Sequence, residues 1–279
     1  PWMNRPMRPM IFGDDWTALK TEYQIEDLKT DFATHNVVKS VHVQANFDIS
    51  RPVDETSGLQ AIADEHGYPN GIVGHADLTD PNLEAVLDGH MEHANLRGIR
   101  QQVYWHPTNQ YWRFVDRQDF CLSTSFRRGL SVLSDRNLTF DFQGYVQQFE
   151  DLAMLAKEAA NLNICLVHAG MLTATDDSAV TEWRDALKVL VPCENVSIKV
   201  SGLNTYTRKL DEAVMDISAN TALDMFGADR CFFGSNFPVE AMWTSFDDYT
   251  AMQKKVLADR SEEENRKFFH DTATTFYSL

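Results

Sequence analysis

The sequence predicts an α/β fold, a (β/α)8 TIM barrel with seven of its eight strands visible and the first strand missing from the chain. Three observations carry this. Short strand-like runs alternate with longer helical patterns, which implies βαβ units and a parallel sheet. No long Gly/Ser-rich or Pro-rich linker divides residues 1–279, so they read as one domain, incomplete at its N-terminus. Several strands also carry one distinctly polar face, whereas strands buried on both faces normally read as continuous apolar runs.

The elements follow in order. A helical pattern at 22–34 leads into the first strand, 37–45 (VVKSVHVQA). Helix 54–66 precedes strand 71–78 (GIVGHADL), and helix 81–93 follows with Pro81 in its first turn after Asp80. Strand 97–104 (RGIRQQVY) gives way to helix 123–134 and strand 137–143 (NLTFDFQ). Helix 145–160, strand 163–169 (NICLVHA), helix 178–190 and strand 195–201 (NVSIKVS) continue the alternation. Helix 211–225 and strand 230–235 (RCFFGS) end it. Helices 246–258 and 261–276 come last, the latter opened by a capping box of Ser261 and Glu264.

Strand faces decide between an open sheet and a barrel. Ser40, His42 and Gln44 share a face, as do His75 and Asp77, Arg100 and Gln102, Thr139, Asp141 and Gln143, and Ser197, Lys199 and Ser201. Their partners across the pleat are apolar or glycine. An antiparallel sheet with one wet face would show the same alternation, but the long helices between strands argue against it. Polar faces converging on a barrel interior place a site at the C-terminal mouth.

Composition narrows the function classes. Lys and Arg number 25 against 41 Asp and Glu, a net charge of −16. Such a chain repels nucleic-acid phosphates and anionic membranes, and no basic patch beyond the pairs Arg5/Arg8 and Arg127/Arg128 opposes this. No run of 18 apolar residues suits a membrane span. The four cysteines, 121, 165, 193 and 231, form no C-x-x-C pair and read as reduced thiols of a cytoplasmic protein. The sequons at Asn137 and Asn195 open predicted strands, a poor setting for glycans.

Several residues could carry chemistry. His168 ends an apolar strand and is followed by Ala169-Gly170. There it could bind a metal, polarise a carbonyl, move a proton, or be a hydrogen-bonded core histidine. Arg100 needs an anionic partner, either Asp77 or Asp141 as structural glue or a substrate carboxylate. Lys199 and Ser201 end their strand, where Lys199 could hold an oxyanion, an acidic substrate or a structural ion pair. Ser235 and Asn236 reach the mouth after the last strand. Asn236 can orient water but is no useful base. His42 and His75 are expected to face inward. His106 is a loop residue beside Tyr104, Trp105, Tyr111 and Trp112, which wall a small ligand or pin the loop. His90 and His93 read as a solvated helix face. No P-loop, G-x-G-x-x-G, G-x-S-x-G or H-E-x-x-H occurs.

These stretches resemble the amidohydrolase-related (amidohydrolase 2) TIM-barrel family, which includes L-fuconolactonase, sulfomuconolactone hydrolase and pyrone-dicarboxylate lactonase. The matching segments are VVKSVHVQANFD, ETSGLQAIADEHGYPNGIVGHADL, LRGIRQQVYWHP, LVHAGM, VSIKVSGL and DRCFFGSNFPVE. The resemblance implies a hydrolase that opens a small carboxylated or sugar-derived lactone. Within the family, His168 contacts the substrate carbonyl or a metal, Arg100 binds an acidic group, and Lys199 and Ser201 lie near the pocket. The expected site is therefore His168, Asn236 and Asp141 as catalytic residues, with Arg100, Gln102, Gln44, His75, Lys199, Ser201 and His106 binding substrate. A divalent metal (Zn or Mn) and no metal both stay open, with His168 the visible ligand candidate.

Two features depart from the family. Its His-x-His pair is absent, and Pro1-Trp2 resembles the loop after the strand that carries it. The natural protein is therefore expected to extend upstream by roughly 15–30 residues. Asn236 also stands where many members have the water-activating Asp, which leaves Asp141, Asp77 and Glu240 as candidate bases. A metal-dependent decarboxylase of an aromatic or unsaturated acid is the alternative reading. A ligand-binding relative that has lost its catalytic acid is a third. The expected partner is a small acidic or lactone substrate, not nucleic acid or membrane, and a homo-oligomer is left open.

Overall fold

The computed structural model describes residues 11–279. The expected alternation appears as seven strands: β1 Val41–Val43, β2 Gly71–Gly74, β3 Leu96–Gln102, β4 Thr139–Gln143, β5 Ile164–Leu166, β6 Val196–Val200 and β7 Cys231–Phe233. All neighbours pair in parallel, in sequence order. Most strands are shorter than the runs suggested, because residues at one or both ends of those runs lie in the flanking loops.

The crossovers are helical: α1 Ile25–Phe32, α2 Pro52–His66, α3 Leu83–Met91, α4 Thr124–Asp135, α5 Phe149–Glu158, α6 Asp177–Leu187, α7 Glu212–Phe226 and α8 Phe246–Val256. Local chemistry sets their ends. α2 starts with Pro52 and ends at Gly67, whose φ of 83° is the left-handed conformation that glycine adopts without a Cβ penalty. α4 is capped by the Ser123 side chain. Pro81 sits just ahead of α3 rather than inside it, in a turn where Asn82 N donates to Asp80 Oδ1 at 2.7 Å. The Ser261/Glu264 capping box is present and opens α9 Glu262–Arg266. The expected continuous helix 261–276 is interrupted by a π-helical turn, Lys267–Asp271, before α10 Thr272–Phe276.

Two apolar layers hold the sheet. Outside, Ile99, Phe140, Ile164 and Ile198 pack on Leu87, Phe126, Leu152, Trp183 and Met215 of the helices. Inside, Val73, Cys165, Val167 and Phe232 pack on Phe276 and Tyr277, joined by Val41, Val43 and Leu279. Side chains of β1 and β7 thus meet in one interior cluster although the strands do not pair. The sheet is curled, with β1 and β7 as its two edges among the described residues. The expected position of Pro1-Trp2 lies outside the described residues.

The inner layer corrects two expectations. On β1 the inward residues are Val41 and Val43, not Ser40, His42 and Gln44. Val43 is in register with Val73, and both join the interior cluster. His42 instead pairs with Glu55 of α2 at 3.3 Å. His90 is not on a solvated face either. It is fully buried, bonded to Thr56 Oγ1 at 2.8 Å and to the His75 carbonyl at 2.9 Å. The helical period of its surroundings misleads because α3 packs this polar ring against α2 and the end of β2.

Candidate active site

The inner faces of β3, β4 and β6 bring charge together. Register places Arg100 beside Asp141, and Asp141 beside Cys165. Asp141 is wholly buried, and Lys199 Nζ donates to its Oδ2 at 2.5 Å. Tyr277, a residue that sequence reasoning missed, donates its hydroxyl to both Asp141 oxygens at 3.0 and 3.1 Å. Lys199 Nζ also lies 3.2 Å from the Tyr277 oxygen. Burial and the Asp141 charge hold the Tyr277 phenol well above its usual range. Asp141 is thus committed to its neighbours. Its carboxylate is the ion-pair partner of Lys199 inside the barrel.

Arg100 is placed differently. Its guanidinium donates to the Gln44 carbonyl, while its Nε is buried without a hydrogen-bond partner. No carboxylate of the described residues lies within 4.0 Å of it. Neither glue partner expected from the sequence engages it. Asp77 instead accepts from Thr79 N and Oγ1 at 2.9 and 2.7 Å, and Asp141 serves Lys199. Asp141 and Glu55 act on Arg100 only through their fields, and Glu55 accepts from Ala45 N at 2.7 Å. Burying a fork of donors unpaired is costly. The fork is therefore open to an anion that enters the mouth.

His168 sits on a left-handed turn. After β5, His168, Ala169, Gly170 and Met171 all have positive φ, at 55°, 48°, 71° and 57°. Such backbone costs about 1–2 kcal/mol per non-glycine residue. The turn is held by Met171 N donating to the His168 carbonyl and Trp183 Nε1 donating to the Ala169 carbonyl, both at 2.8 Å. It carries the imidazole off the strand to within 3.0 Å of Ser201, Nδ1 to Oγ. Burial, then the charges of Arg100 and Lys199, push the His168 pKa down to about 3, against the pull of the Ser201 backbone. The ring is neutral at physiological pH.

Gly202 makes room for that ring. A Cβ there would lie 2.4 Å from His168 Nδ1, on a backbone with φ of 64°. Gly202→Ala should therefore displace the imidazole and strain the turn. We expect a stability loss of about 1–3 kcal/mol by urea denaturation, together with loss of most activity.

The end of β7 completes the mouth. Gly234 packs against Ser201 and Lys199. Asn236, at a φ of 58°, donates Nδ2 to Glu240 Oε1 at 3.3 Å. Glu240 is fully buried, and burial pushes its pKa up to about 7 even though Asn236 and Asn204 favour its charged form.

The other expected residues divide. Gln102 accepts from Asn46 Nδ2 at 2.9 Å and donates to Gln143 at 3.3 Å on the inner wall. Gln44 spends its Oε1 on Asn46 N at 2.7 Å, with Nε2 buried and unpaired. The His75 ring is buried beside Arg100, and burial lowers its pKa. His106 lies in the loop after β3, where its Nδ1 accepts from Asn109 N at 3.1 Å and its ring packs on Trp112 and Tyr145. It lines a small cavity of about 80 Å³ with Tyr145, Met171 and Trp183. Above the mouth, Ile11 and Phe12 join Tyr104, Trp112, Tyr145, Met171 and Tyr206 in one apolar roof. The structure thus brings Arg100, Asp141, Lys199, His168 and Ser201 together. His106 belongs to the roof.

A metal does not fit the described residues alone. No three His, Cys, Asp or Glu side chains among them come together to hold one. The donors around His168 are two cations and a hydroxyl, which suit an anion better than a divalent cation. The four cysteines are free and buried. No helix among the described residues is long and apolar enough to cross a membrane.

Known proteins are similar to this chain in sequence and fold. A sequence model described as Amidohydrolase matches residues 6–279. An uncharacterised protein of Sinorhizobium fredii is 37% identical over 279 residues, which is 100% of this chain and 93% of that protein. An L-fucono-1,5-lactonase of Burkholderia multivorans is 30% identical over 239 residues, 81% of this chain and 77% of that one. A crystal structure of a Burkholderia multivorans amidohydrolase with bound zinc superposes with a TM-score of 0.82 at 26% identity, covering 94% of this chain and 90% of that one.

Proposed function

The chain belongs to the amidohydrolase family, and from that premise we propose that it hydrolyses a small lactone bearing a carboxylate or derived from a sugar. The observation that carries this is Arg100, a guanidinium at the mouth with no carboxylate of the described residues within ion-pair distance. Lys199 adds a second cation, and the aromatic roof supplies an apolar cover. The similarity to an L-fucono-1,5-lactonase supports the lactone over other carbonyl substrates.

In this reading Arg100 takes the acidic or hydroxyl-rich side of the substrate through its paired donors. The Ser201 hydroxyl donates to His168 Nδ1, so Nε2–H points at the lactone carbonyl. A neutral imidazole can act as such an electrophile without losing its proton. Water held at the Asn236 side-chain oxygen Oδ1 attacks the lactone carbonyl carbon and forms a C–O bond. Negative charge gathers on the former carbonyl oxygen and is met by His168 and the Lys199 field. Collapse breaks the ring C–O bond, and the water's second proton passes to the ring oxygen. The product is a hydroxy acid, which releases its carboxyl proton to solvent.

Arg100→Met tests the assignment. Losing charge-assisted bonds worth about 1.5–3 kcal/mol should raise KM for a carboxylated lactone about tenfold to a hundredfold. Uncharged lactones should be affected far less. Equal losses on charged and uncharged substrates would speak against Arg100 as the anion holder.

A further inference from the structure

Asn236 stands at the mouth with only one end of its amide engaged. Nδ2 donates to Glu240 Oε1, and no donor among the described residues bonds the side-chain amide oxygen Oδ1, while the backbone carbonyl accepts from Glu240 N at 3.2 Å. Glu240 is fully buried and comes from the turn of residues 239–242, one step behind the mouth. Its second oxygen, Oε2, and the neighbouring Asn204 Nδ2 make no hydrogen bond of ordinary geometry, although Asn204 lies near enough to favour the charged carboxyl. A buried carboxyl group so poorly satisfied is costly to keep. An asparagine amide alone has no preferred direction, because its two ends are nearly equal in shape. Above about pH 7, where Glu240 is ionised, its carboxylate removes that ambiguity, since it accepts and cannot donate.

We propose that Glu240 is a positioning residue that fixes the Asn236 amide with nitrogen inward and oxygen toward the mouth, so that the oxygen accepts a hydrogen bond from the attacking water. This rests on the lactonase reading for its water, and on the geometry alone for its orientation. It also gives the asparagine a use in hydrolysis. The amide holds and aims the nucleophile, although it cannot take the proton.

A double-mutant cycle tests it. Glu240→Gln should lower kcat about tenfold to a hundredfold on the best lactone substrate with KM nearly unchanged, because Gln can offer Asn236 either end of its own amide. In the Asn236→Asp background the same change should matter little, since both carboxylate oxygens are alike. An equal loss in both backgrounds, or none in either, overturns the proposal. Glu240→Met replaces Gln in the cycle if that variant fails to fold.

A second measurement does not need turnover. In mildly alkaline buffer, the Asn236 side-chain amide resonance, identified by its absence in Asn236→Asp, should be shifted downfield by its charge-assisted bond. It should return to an ordinary position in Glu240→Gln. An identical resonance in both proteins contradicts the proposal even if no lactone is hydrolysed. A shifted resonance without any lactone turnover would leave the orientation standing and the lactonase reading refuted.

Discussion

Replacing His168 with Ala should lower kcat for lactone opening by about two to three orders of magnitude, with KM changed far less. Donors aimed at a developing oxyanion have effects of this size. His168 is suited to this because its ring is neutral and partly exposed to the mouth, anchored by Ser201 and held on a turn with four positive φ angles. The pH behaviour follows from the same setting. Its pKa of about 3 in the folded protein lies below the ordinary 6.5. The neutral ring therefore contributes stability that is fully present above about pH 6.5. That stability is lost as pH falls from there toward 3. His168→Asn should lose less stability on acidification than the wild type, as measured by urea denaturation across that range. The pH–rate profile should show no protonation of His168 near 6.5. An inflection there that disappears in His168→Asn would mean the ring titrates normally and is not held by Arg100 and Lys199.

Asp141→Ala should destabilise the protein by about 3–5 kcal/mol. It strips the countercharge from Lys199 inside the barrel, and removing one member of a buried pair leaves the other uncompensated. Tyr277 would lose both of its acceptor contacts at the same time. The double variant Asp141→Ala/Lys199→Met should recover much of that loss, because it removes the stranded charge. If Asp141→Ala costs less than about 1 kcal/mol in urea denaturation, the interior admits enough water to solvate Lys199. The site would then be wetter than the burial of Asp141 indicates.

Much of this architecture was legible in the residues. Seven strands appear where alternating runs predict them, because apolar runs flanked by helical patterns leave a parallel sheet few alternatives. The polar faces of β3, β4 and β6 point inward as their period of two requires, and they gather Arg100, Asp141 and Lys199. β1 failed that reasoning because it is an edge of the sheet among the described residues, where His42 turns to a helix and valines fill the interior. Tyr277 lies just past the helical pattern of residues 261–276, where nothing local marks it. Its role comes from the end of the chain folding under the barrel, a contact across 136 residues that no local period reveals. Gly202 carried the one available signal, a glycine directly after a strand, but its purpose depends on where His168 lies. Arg100 could not be assigned from sequence either. Only the engagement of Asp77 and Asp141 elsewhere leaves its fork without a carboxylate partner among the described residues.

The most direct measurement is turnover of a panel of small lactones, comparing carboxylated and sugar-derived rings with uncharged ones, with carbon dioxide release from aromatic and unsaturated acids followed in parallel. The account predicts ring opening to the hydroxy acid, fastest for substrates that offer Arg100 an acidic or hydroxyl-rich face and nearly abolished in His168→Ala. Carbon dioxide release without lactone hydrolysis, or lactone hydrolysis that survives His168→Ala, would contradict it.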